Sequence, residues 1–185
     1  QRWRERSCLK LKYLVIYSSR TGNTEKIAME IFEALPGKSK DIQRVEEQKG
    51  EADTYFVGFW NDKGICGGEI MEFLEGLHGK QVALFGTCGM GEDPEYCRQV
   101  SKRVEALIPE DNRYLGSFLC SGRMVPQVLE RYRIMQMRQD SPQIRQMIQS
   151  YEEAMLHPDE KDLENARTFA QRIVQEKERG KNLWG

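Results

Sequence analysis

A short apolar run, a polar loop and an amphipathic stretch follow one another near the start of this chain, and they constrain its fold more than any other feature. Residues 12–17, K-Y-L-V-I-Y, are apolar and β-branched, which favours a central strand buried on both faces of a parallel sheet. Residues 18–23 are polar. From Thr24 an apolar stripe returns at helical spacing, at Ile27, Ile31 and Leu35. The order predicted is strand, loop, helix.

The same alternation continues to residue 120. Further strands are predicted at 41–45, 53–60, 81–86 and 114–120, and further helices at 69–77 and 94–108. Strands that alternate with helices pair in parallel through right-handed crossovers, with helices on both faces of the sheet. The sequence therefore predicts an α/β domain with a five-stranded, parallel, doubly wound sheet.

The last third of the chain has no strand pattern. Residues 122–157 predict two helices, broken at Asp140-Ser141-Pro142, before a final helix that opens at Pro158. Asp140 or Ser141 is expected to cap the second of the two helices, and Pro142 suits its first turn. We expect an N-terminal extension at 1–12, one domain at 13–178 with a helical insertion at 122–157, and a C-terminal tail at 179–185. Five of the eight methionines fall in the insertion. They predict either packing against the sheet or an adaptable docking element or lid.

Charge and hydropathy exclude several classes of protein. The 185 residues suffice for one domain, and the formal net charge of −1 argues against nucleic acid as a partner. No apolar run is long enough to span a membrane, and residues 1–12 lack the apolar core of a signal peptide. We therefore expect a cytoplasmic protein.

Cysteine and histidine give no sign of a metal site or a disulfide framework. The five cysteines are odd in number and include no C-x-x-C pair. Cys66, Cys88 and Cys97 fall in or beside the loops described below, where a redox role competes with simple packing. His78 and His157 stand far apart, and we expect both to be surface residues near helix ends.

The loop after the first strand, S-S-R-T-G-N-T at residues 18–24, is typical of a phosphate site. Hydroxyl and amide donors surround one glycine immediately before a helix, whose N-terminus offers unpaired N–H groups and the positive end of its dipole. Neither G-x-x-x-x-G-K-[ST] nor G-x-G-x-x-G is present, which disfavours ATP hydrolysis and dinucleotide binding. The alternative is a serine-rich turn that only caps the helix.

Two more loops are expected beside this one. Ligands of open α/β sheets bind outside the carboxyl ends of the strands, where the strand order reverses. The loops there span residues 18–24, 60–68 and 87–93, and aromatic residues, Trp60 and Tyr96, flank the last two. A phosphate cradle beside an aromatic slot suits a nucleotide with a flat ring, although Trp60 alone is equally typical of a core aromatic.

S-S-R-T-G-N-T after Y-L-V-I-Y resembles the phosphate signature of flavodoxins, [ST]-x-T-G-x-T, and the likeness extends from about Tyr13 to Gln175. V-G-F-W-N-D-K-G, L-F-G-T-C-G and H-P-D-E-K-D-L-E-N-A are similar to a branch found in anaerobic bacteria. A narrower resemblance is to flavodoxin-like accessory proteins encoded with bilirubin reductases. The resemblance implies strand order 2-1-3-4-5 and flavin mononucleotide (FMN) as the cofactor.

It also implies which residues meet FMN. The first loop matches the phosphate site, and Trp60 and Tyr96 match the aromatics that lie against the isoalloxazine. Residues 61–64 match the segment whose backbone meets flavin N5. Residues 87–91 match the loop that meets the pyrimidine edge of the flavin. The expected cofactor-binding residues are Ser18, Ser19, Arg20, Thr21, Gly22, Asn23, Thr24, Trp60, Asn61, Asp62, Lys63, Gly64, Thr87, Cys88, Gly89, Met90, Gly91 and Tyr96. Arg20 either neutralises the phosphate or points to solvent.

Flavin chemistry needs no catalytic acid or nucleophile from the protein. The resemblance implies an electron carrier that passes electrons to a partner redox enzyme. Two alternatives stay open: an FMN-dependent NAD(P)H oxidoreductase, for which the sequence has no dedicated nicotinamide motif, and a non-redox binding module with the same fold.

Overall fold

The computed structural model describes residues 10–182, without the side chains of 181 and 182. Residues 1–9 of the expected extension and 183–185 of the expected tail lie outside the described residues. The described residues form five strands and six α-helices, in the order β1 (Leu11–Tyr17), α1 (Asn23–Ala34), β2 (Lys40–Arg44), β3 (Ala52–Trp60), α2 (Gly68–Glu75), β4 (Gln81–Cys88), α3 (Pro94–Glu105), β5 (Arg113–Ser121), α4 (Pro126–Arg138), α5 (Pro142–Ala154) and α6 (Glu160–Asn182).

The five strands form one parallel sheet in the order β2-β1-β3-β4-β5, which confirms the prediction. The order reverses at β1, because the chain moves to one side for β2 and returns past β1 for β3. The carboxyl ends of β1, β3 and β4 are neighbours in the sheet. Their three loops therefore leave the same edge side by side.

Each face of the sheet carries a separate apolar core. On one face α1 and α6 pack against alternate strand residues such as Val15, Phe56 and Phe85. On the other face α2 and α3 cover Leu14, Val57, Leu84 and their neighbours. This two-sided burial explains why the central strands read as continuous apolar runs rather than alternating ones.

Some element ends differ from the prediction. β4 continues to Cys88, two residues beyond the predicted end, because Thr87 and Cys88 pair with β5. β1 starts at Leu11, inside the expected extension. α6 continues to Asn182, so residues 179–182 of the expected tail are helical.

The predicted helical insertion is present as α4 and α5, which pack on each other. Of the two predicted caps it is Ser141 that caps α5, by accepting a hydrogen bond from the Ile144 N–H at 3.2 Å. α4 has no buried residue, and the Met137 side chain is 86% exposed. Core packing therefore does not explain the methionines of α4. No helix in the described part of the chain has the length and apolarity to cross a membrane.

Candidate functional site

The first loop folds into a cradle at the N-terminus of α1. Ser19 Oγ accepts hydrogen bonds from the N–H groups of Gly22, at 3.2 Å, and Glu25, at 3.3 Å. Gly22 has a φ of +87°, in the left-handed region where a side chain is disfavoured, and no atom lies within 4 Å of where its Cβ would be. Its left-handed backbone turns the chain into the helix while keeping the space in front of it open.

Two helix donors remain available at this cradle. Within residues 10–182 the N–H groups of Asn23 and Thr24 have no hydrogen-bond acceptor, because Ser19 Oγ reaches only Gly22 and Glu25 and the N-cap residue, Gly22, has no side chain. Helix N-termini leave such donors for an anion, which the dipole also favours. The first loop thus has the donor chemistry of a phosphate site.

Buried hydroxyls join the first loop to the third. Thr24 Oγ1 lies 2.9 Å from Thr87 Oγ1 and also donates to the carbonyl oxygen of Phe59, at 3.4 Å. Thr24 is fully buried and Thr87 nearly so. The start of α1 is therefore fixed to the ends of β3 and β4.

The second loop is a tight hairpin that is bound to the third. Asp62 and Ile65 pair in antiparallel fashion, and both residues between them have positive φ, 55° at Lys63 and 96° at Gly64. These signs are those of a type I′ turn, which glycine favours at its second position. Asn61 donates its backbone N–H to the Thr87 carbonyl at 2.8 Å.

The flanking aromatics occupy the places that the sequence predicts. Trp60 ends β3 and is partly buried, and Tyr96 lies in the first turn of α3. The Tyr96 hydroxyl accepts a hydrogen bond from Asn61 Nδ2 at 2.9 Å. The Arg20 guanidinium lies 5.6 Å from the centre of the Trp60 ring. Arg20 is exposed but rests on an aromatic face, which connects the first loop to the second.

The third loop depends on glycine because other segments pack against it. A Cβ on Gly91 would lie 2.2 Å from the Ser121 backbone nitrogen, and one on Gly89 would lie 2.4 Å from Met124 Sδ. Met90, in contrast, is 45% exposed. The loop is thus held between the end of β5 and the segment that leads into α4.

The cysteines near these loops are mostly buried. Burial raises the pKa of the Cys66 thiol to about 11. Cys88 is buried and Cys97 is partly exposed. Both thiols are free in this structure, and Cys97 Sγ donates to the Gly91 carbonyl at 3.5 Å.

The structure brings all three predicted loops to one edge, and it adds contacts that the sequence did not indicate. Arg103, two turns into α3, donates to the Gly64 carbonyl at 3.1 Å. Asn23 donates to the Arg123 carbonyl at 2.9 Å, across 100 residues of sequence. Neither contact has a local signal, because both depend on where distant elements pack.

His157 corrects one sequence expectation. His78 is exposed and bonds to Asp111, as expected of a surface residue. His157 instead has a side chain only 18% exposed, with Nδ1 2.6 Å from Asp162 and Nε2 3.4 Å from Glu92 of the third loop. His157 thus forms ion pairs between the start of α6 and the third loop, because the turn before α6 packs against that loop.

His157, Asp159 and Asp162 are also the described group whose ligand atoms lie close enough for a metal ion, within 4.8 Å of one another. The hydrogen bonds between His157 and Asp162 and between Asp159 and Asp162 account for this spacing without an ion.

Comparison with known proteins identifies the family. A model of the flavodoxin domain matches residues 14–171, which is most of the chain. The chain belongs to the flavodoxin domain family. FMN is therefore its cofactor, and its function is of the electron-transfer type.

Named relatives in this family cover nearly the whole chain. The flavodoxin-like domain-containing protein BilS of Clostridioides difficile (strain CD3) is 38% identical over 171 residues, which are 89% of this chain and 97% of that protein. The BilS of Clostridium symbiosum (strain WAL-14163) is 34% identical over 179 residues, 83% of this chain and 90% of that protein.

Solved flavodoxins share the fold at low identity. Oxidised flavodoxin 2 from Bacillus cereus aligns with a TM-score of 0.53 at 21% identity, over 89% of this chain and 99% of that one. The flavodoxin of Streptococcus pneumoniae TIGR4 aligns with a TM-score of 0.52 at 19% identity, over 89% and 98%.

The site fits the cofactor of the flavodoxin family. The unpaired N–H groups of Asn23 and Thr24 and the open left-handed turn at Gly22 suit a phosphate. Trp60, Tyr96 and the two glycine-containing loops beside them form the polar and aromatic surroundings that a flavin ring needs.

Proposed function

We propose that this protein is an FMN-dependent electron carrier that serves a partner redox enzyme. One observation supports this most strongly: the α1 cradle, with its unpaired N–H groups, stands beside the partly exposed Trp60 at the point where the strand order reverses. A phosphate and a flat ring are then bound by neighbouring loops of one rigid edge. The residues proposed for the phosphate are those of the first loop, 18–24.

The second and third loops are proposed to hold the flavin ring. Trp60 and Tyr96 offer aromatic faces, and residues 61–64 and 87–91 offer backbone donors and acceptors. The Asn61 bonds to Thr87 and Tyr96 fix the second loop to the third before any ligand arrives. A preorganised site of this kind binds its ligand without a large ordering cost.

FMN supplies the redox chemistry, the uptake and release of one or two electrons. The chain's own residues bind, orient and shield it. The backbone of residues 61–64 is proposed to form the hydrogen bond at flavin N5. The Arg103 contact holds the Gly64 carbonyl, and therefore sets how readily that peptide changes orientation.

The α4–α5 hairpin, residues 126–154, is proposed as the docking element for the partner. α4 carries three arginines, Arg131, Arg133 and Arg138, against one glutamate, and it exposes Ile134 and Met137. A basic, apolar surface of this kind complements an acidic partner surface. α5 and the third loop line one cavity of about 440 Å³, so a partner on the hairpin would sit beside the flavin loops.

Two measurements test the carrier function. FMN-loaded protein is mixed anaerobically with NADH or NADPH in a stopped-flow instrument, and the flavin absorbance is followed. A carrier leaves the flavin oxidised on the millisecond-to-second scale, and a chemical or enzymatic reductase then bleaches it. Rapid bleaching by NADH or NADPH alone would instead establish a self-sufficient oxidoreductase.

Purified protein that stays colourless and shows no thermal shift with added FMN would contradict both flavin functions. It would favour a non-redox binding module with this fold.

A further inference from the structure

Cys88, at the end of β4, and Cys97, in the first turn of α3, lie at the two ends of the third loop. Residues of β4 alternate between the two faces of the sheet, and Val82 and Leu84 belong to the core on the face that α3 covers. Cys88 stands an even number of residues from both, so its side chain is on the same face. On α3, Cys97 stands three and seven residues before Val100 and Val104, the residues that the helix buries on that face. The last residue of the strand therefore meets the first turn of the helix.

One tight turn brings the two cysteines together. Cys97 Sγ donates to the Gly91 carbonyl at 3.5 Å, and the Gly91 N–H donates to the Cys88 carbonyl at 3.2 Å. The interaction between the two side chains holds the pKa of the Cys97 thiol below its usual value and raises that of Cys88, which burial raises further. Cys97 is therefore the first of the pair to become a thiolate, the form that attacks a disulfide.

Cys97 is also the accessible member. It lines a surface cavity of about 340 Å³ between α3 and β5, with Arg98, Lys102 and Tyr114 among the other lining residues. Cys88 is only 3% exposed. An incoming reagent can thus reach Cys97 but not Cys88.

We propose that Cys88 and Cys97 are a redox-active dithiol that a low-molecular-weight disulfide converts reversibly into an intramolecular disulfide. The closed bond joins the end of β4 to the first turn of α3 and encloses residues 89–96, which include most of the third loop. This function goes beyond electron transfer by the flavin and does not require it.

The reaction balances as two thiol–disulfide exchanges. The Cys97 thiolate attacks one sulfur of the reagent, which forms a mixed disulfide on Cys97 and releases one thiolate. Cys88 then loses its proton to solvent and attacks Cys97 Sγ, which breaks the mixed disulfide and releases the second thiolate. Two protein thiols are oxidised, and one reagent disulfide is reduced to two thiols.

The other described cysteines are poorly placed to compete. Cys120 belongs to the core on the α1 and α6 face, across the sheet from Cys88, and burial raises its pKa. Cys66 is buried with its pKa raised to about 11. The fifth cysteine, Cys8, lies outside the described residues, so the test below must identify the bonded pair directly.

The test uses the full chain loaded with FMN, equilibrated with mixtures of reduced and oxidised glutathione, acid-quenched, alkylated and digested with trypsin. Cleavage after Lys80 and Arg98 releases Cys88 and Cys97 in one peptide, residues 81–98. We expect that peptide to lose two hydrogens and to resist alkylation in oxidising mixtures, and to recover both alkylation sites after reduction.

Variants separate the two steps. Cys88→Ser should accumulate a glutathione adduct on Cys97, because no second thiol resolves it. Cys97→Ser should leave peptide 81–98 with neither a disulfide nor a glutathione adduct. Cys120→Ser, which removes a buried cysteine from the opposite face, should oxidise like the wild type.

If the fold holds the two cysteines close together, the disulfide must form more readily in the folded protein than in the unfolded chain, where only the ten-residue segment links them. We expect the equilibrium constant for oxidation by glutathione to be at least about tenfold larger in the folded protein than in urea, or about 30 mV for this two-electron couple. Equal constants, full alkylation of both sites in oxidising mixtures, or a bond from either residue to Cys8 or Cys120 would overturn the proposal. None of these readouts depends on electron transfer by FMN.

Discussion

At the scale of single residues, the hydrogen-bonded hydroxyls of Thr24 and Thr87 are a contact of the site that a substitution can test directly. It is buried and joins positions 63 residues apart. Thr24→Val replaces one hydroxyl by a methyl group and keeps the size and shape of the side chain. Thr87 Oγ1 then loses its hydrogen bond to residue 24. We expect the free energy of unfolding to fall by about 1–3 kcal/mol, the cost of an unsatisfied buried polar group. Urea denaturation of the FMN-free protein measures it.

The double variant Thr24→Val/Thr87→Val is the matched control. Because both hydroxyls are then replaced by methyl groups, part of the lost stability should return. Two independent, additive losses would show that the hydroxyls do not interact.

Gly91 tests the packing of the third loop. Its Cβ would approach the Ser121 backbone nitrogen at 2.2 Å, and backbone cannot swing away as a side chain can. Gly91→Ala should destabilise the protein by about 1–3 kcal/mol, in the range of overpacked sites, and weaken FMN binding.

Gly68→Ala is the comparison for that variant, because nothing lies within 4 Å of its Cβ position and the residue starts a helix. It should leave stability unchanged or slightly raised. Thermal unfolding and fluorescence titration with FMN measure both variants, and equal behaviour of the two would refute the packing argument.

At the scale of elements, substitutions on the α4–α5 hairpin test whether it docks the partner or belongs to the cofactor site. Arg131→Glu/Arg133→Glu reverses two exposed charges on α4. We expect FMN affinity to stay the same and the second-order rate of electron transfer to an acidic partner to fall on the order of tenfold at low ionic strength, through lost steering.

Lys38→Glu/Lys49→Glu makes the same charge change at exposed positions before and after β2 and should affect the rate much less. Added salt should narrow the difference between the two double variants. A fall in FMN affinity in the α4 variant would instead make the hairpin part of the cofactor site.

The turn between α5 and α6 should respond to pH through His157. Burial alone lowers the pKa of His157, but the hydrogen bond and charge of Asp162, with the charges of Asp159 and Glu92, outweigh it, so the pKa is raised. A raised folded pKa stabilises the fold at low pH. The contribution is complete below the unfolded pKa of about 6.5 and is lost as pH rises through the folded value.

His157→Gln keeps a polar side chain and removes the titration. We expect the free energy of unfolding of the wild type, relative to this variant, to decrease between pH 6 and pH 8.5. Urea denaturation at several pH values checks this, with His78→Gln, an exposed histidine, as the control. A constant difference across that range would contradict the ion-paired assignment.

At the scale of the whole molecule, FMN binding is linked to folding. A ligand that binds only the folded state at 100 times its dissociation constant adds about 2.7 kcal/mol to the free energy of unfolding. FMN should therefore raise the melting temperature. Riboflavin, which has the ring without the phosphate, should raise it much less at the same concentration, because the α1 cradle contributes nothing. Equal shifts would place the phosphate outside the cradle.

Much of the fold could be predicted because its signals are local. The central strands read as apolar runs since both faces of the sheet are covered, and the order 2-1-3-4-5 followed from the resemblance to flavodoxins. Asp140 and Ser141 were both predicted as possible caps of α5 from their place before Pro142, and Ser141 is the one that caps it. The end of β4 was missed because Thr87 and Cys88 are strand residues only through pairing with β5.

The sequence by itself determined the strand–loop–helix units and the phosphate-type loop, because these depend on neighbours a few residues apart. Only the tertiary structure decided that Thr24 meets Thr87, that Arg103 holds Gly64, that His157 is ion-paired and that Cys88 meets Cys97. Those contacts join residues that the chain separates and the packing of the sheet, helices and loops brings together. Packing depends on how whole faces fit, which no short segment encodes.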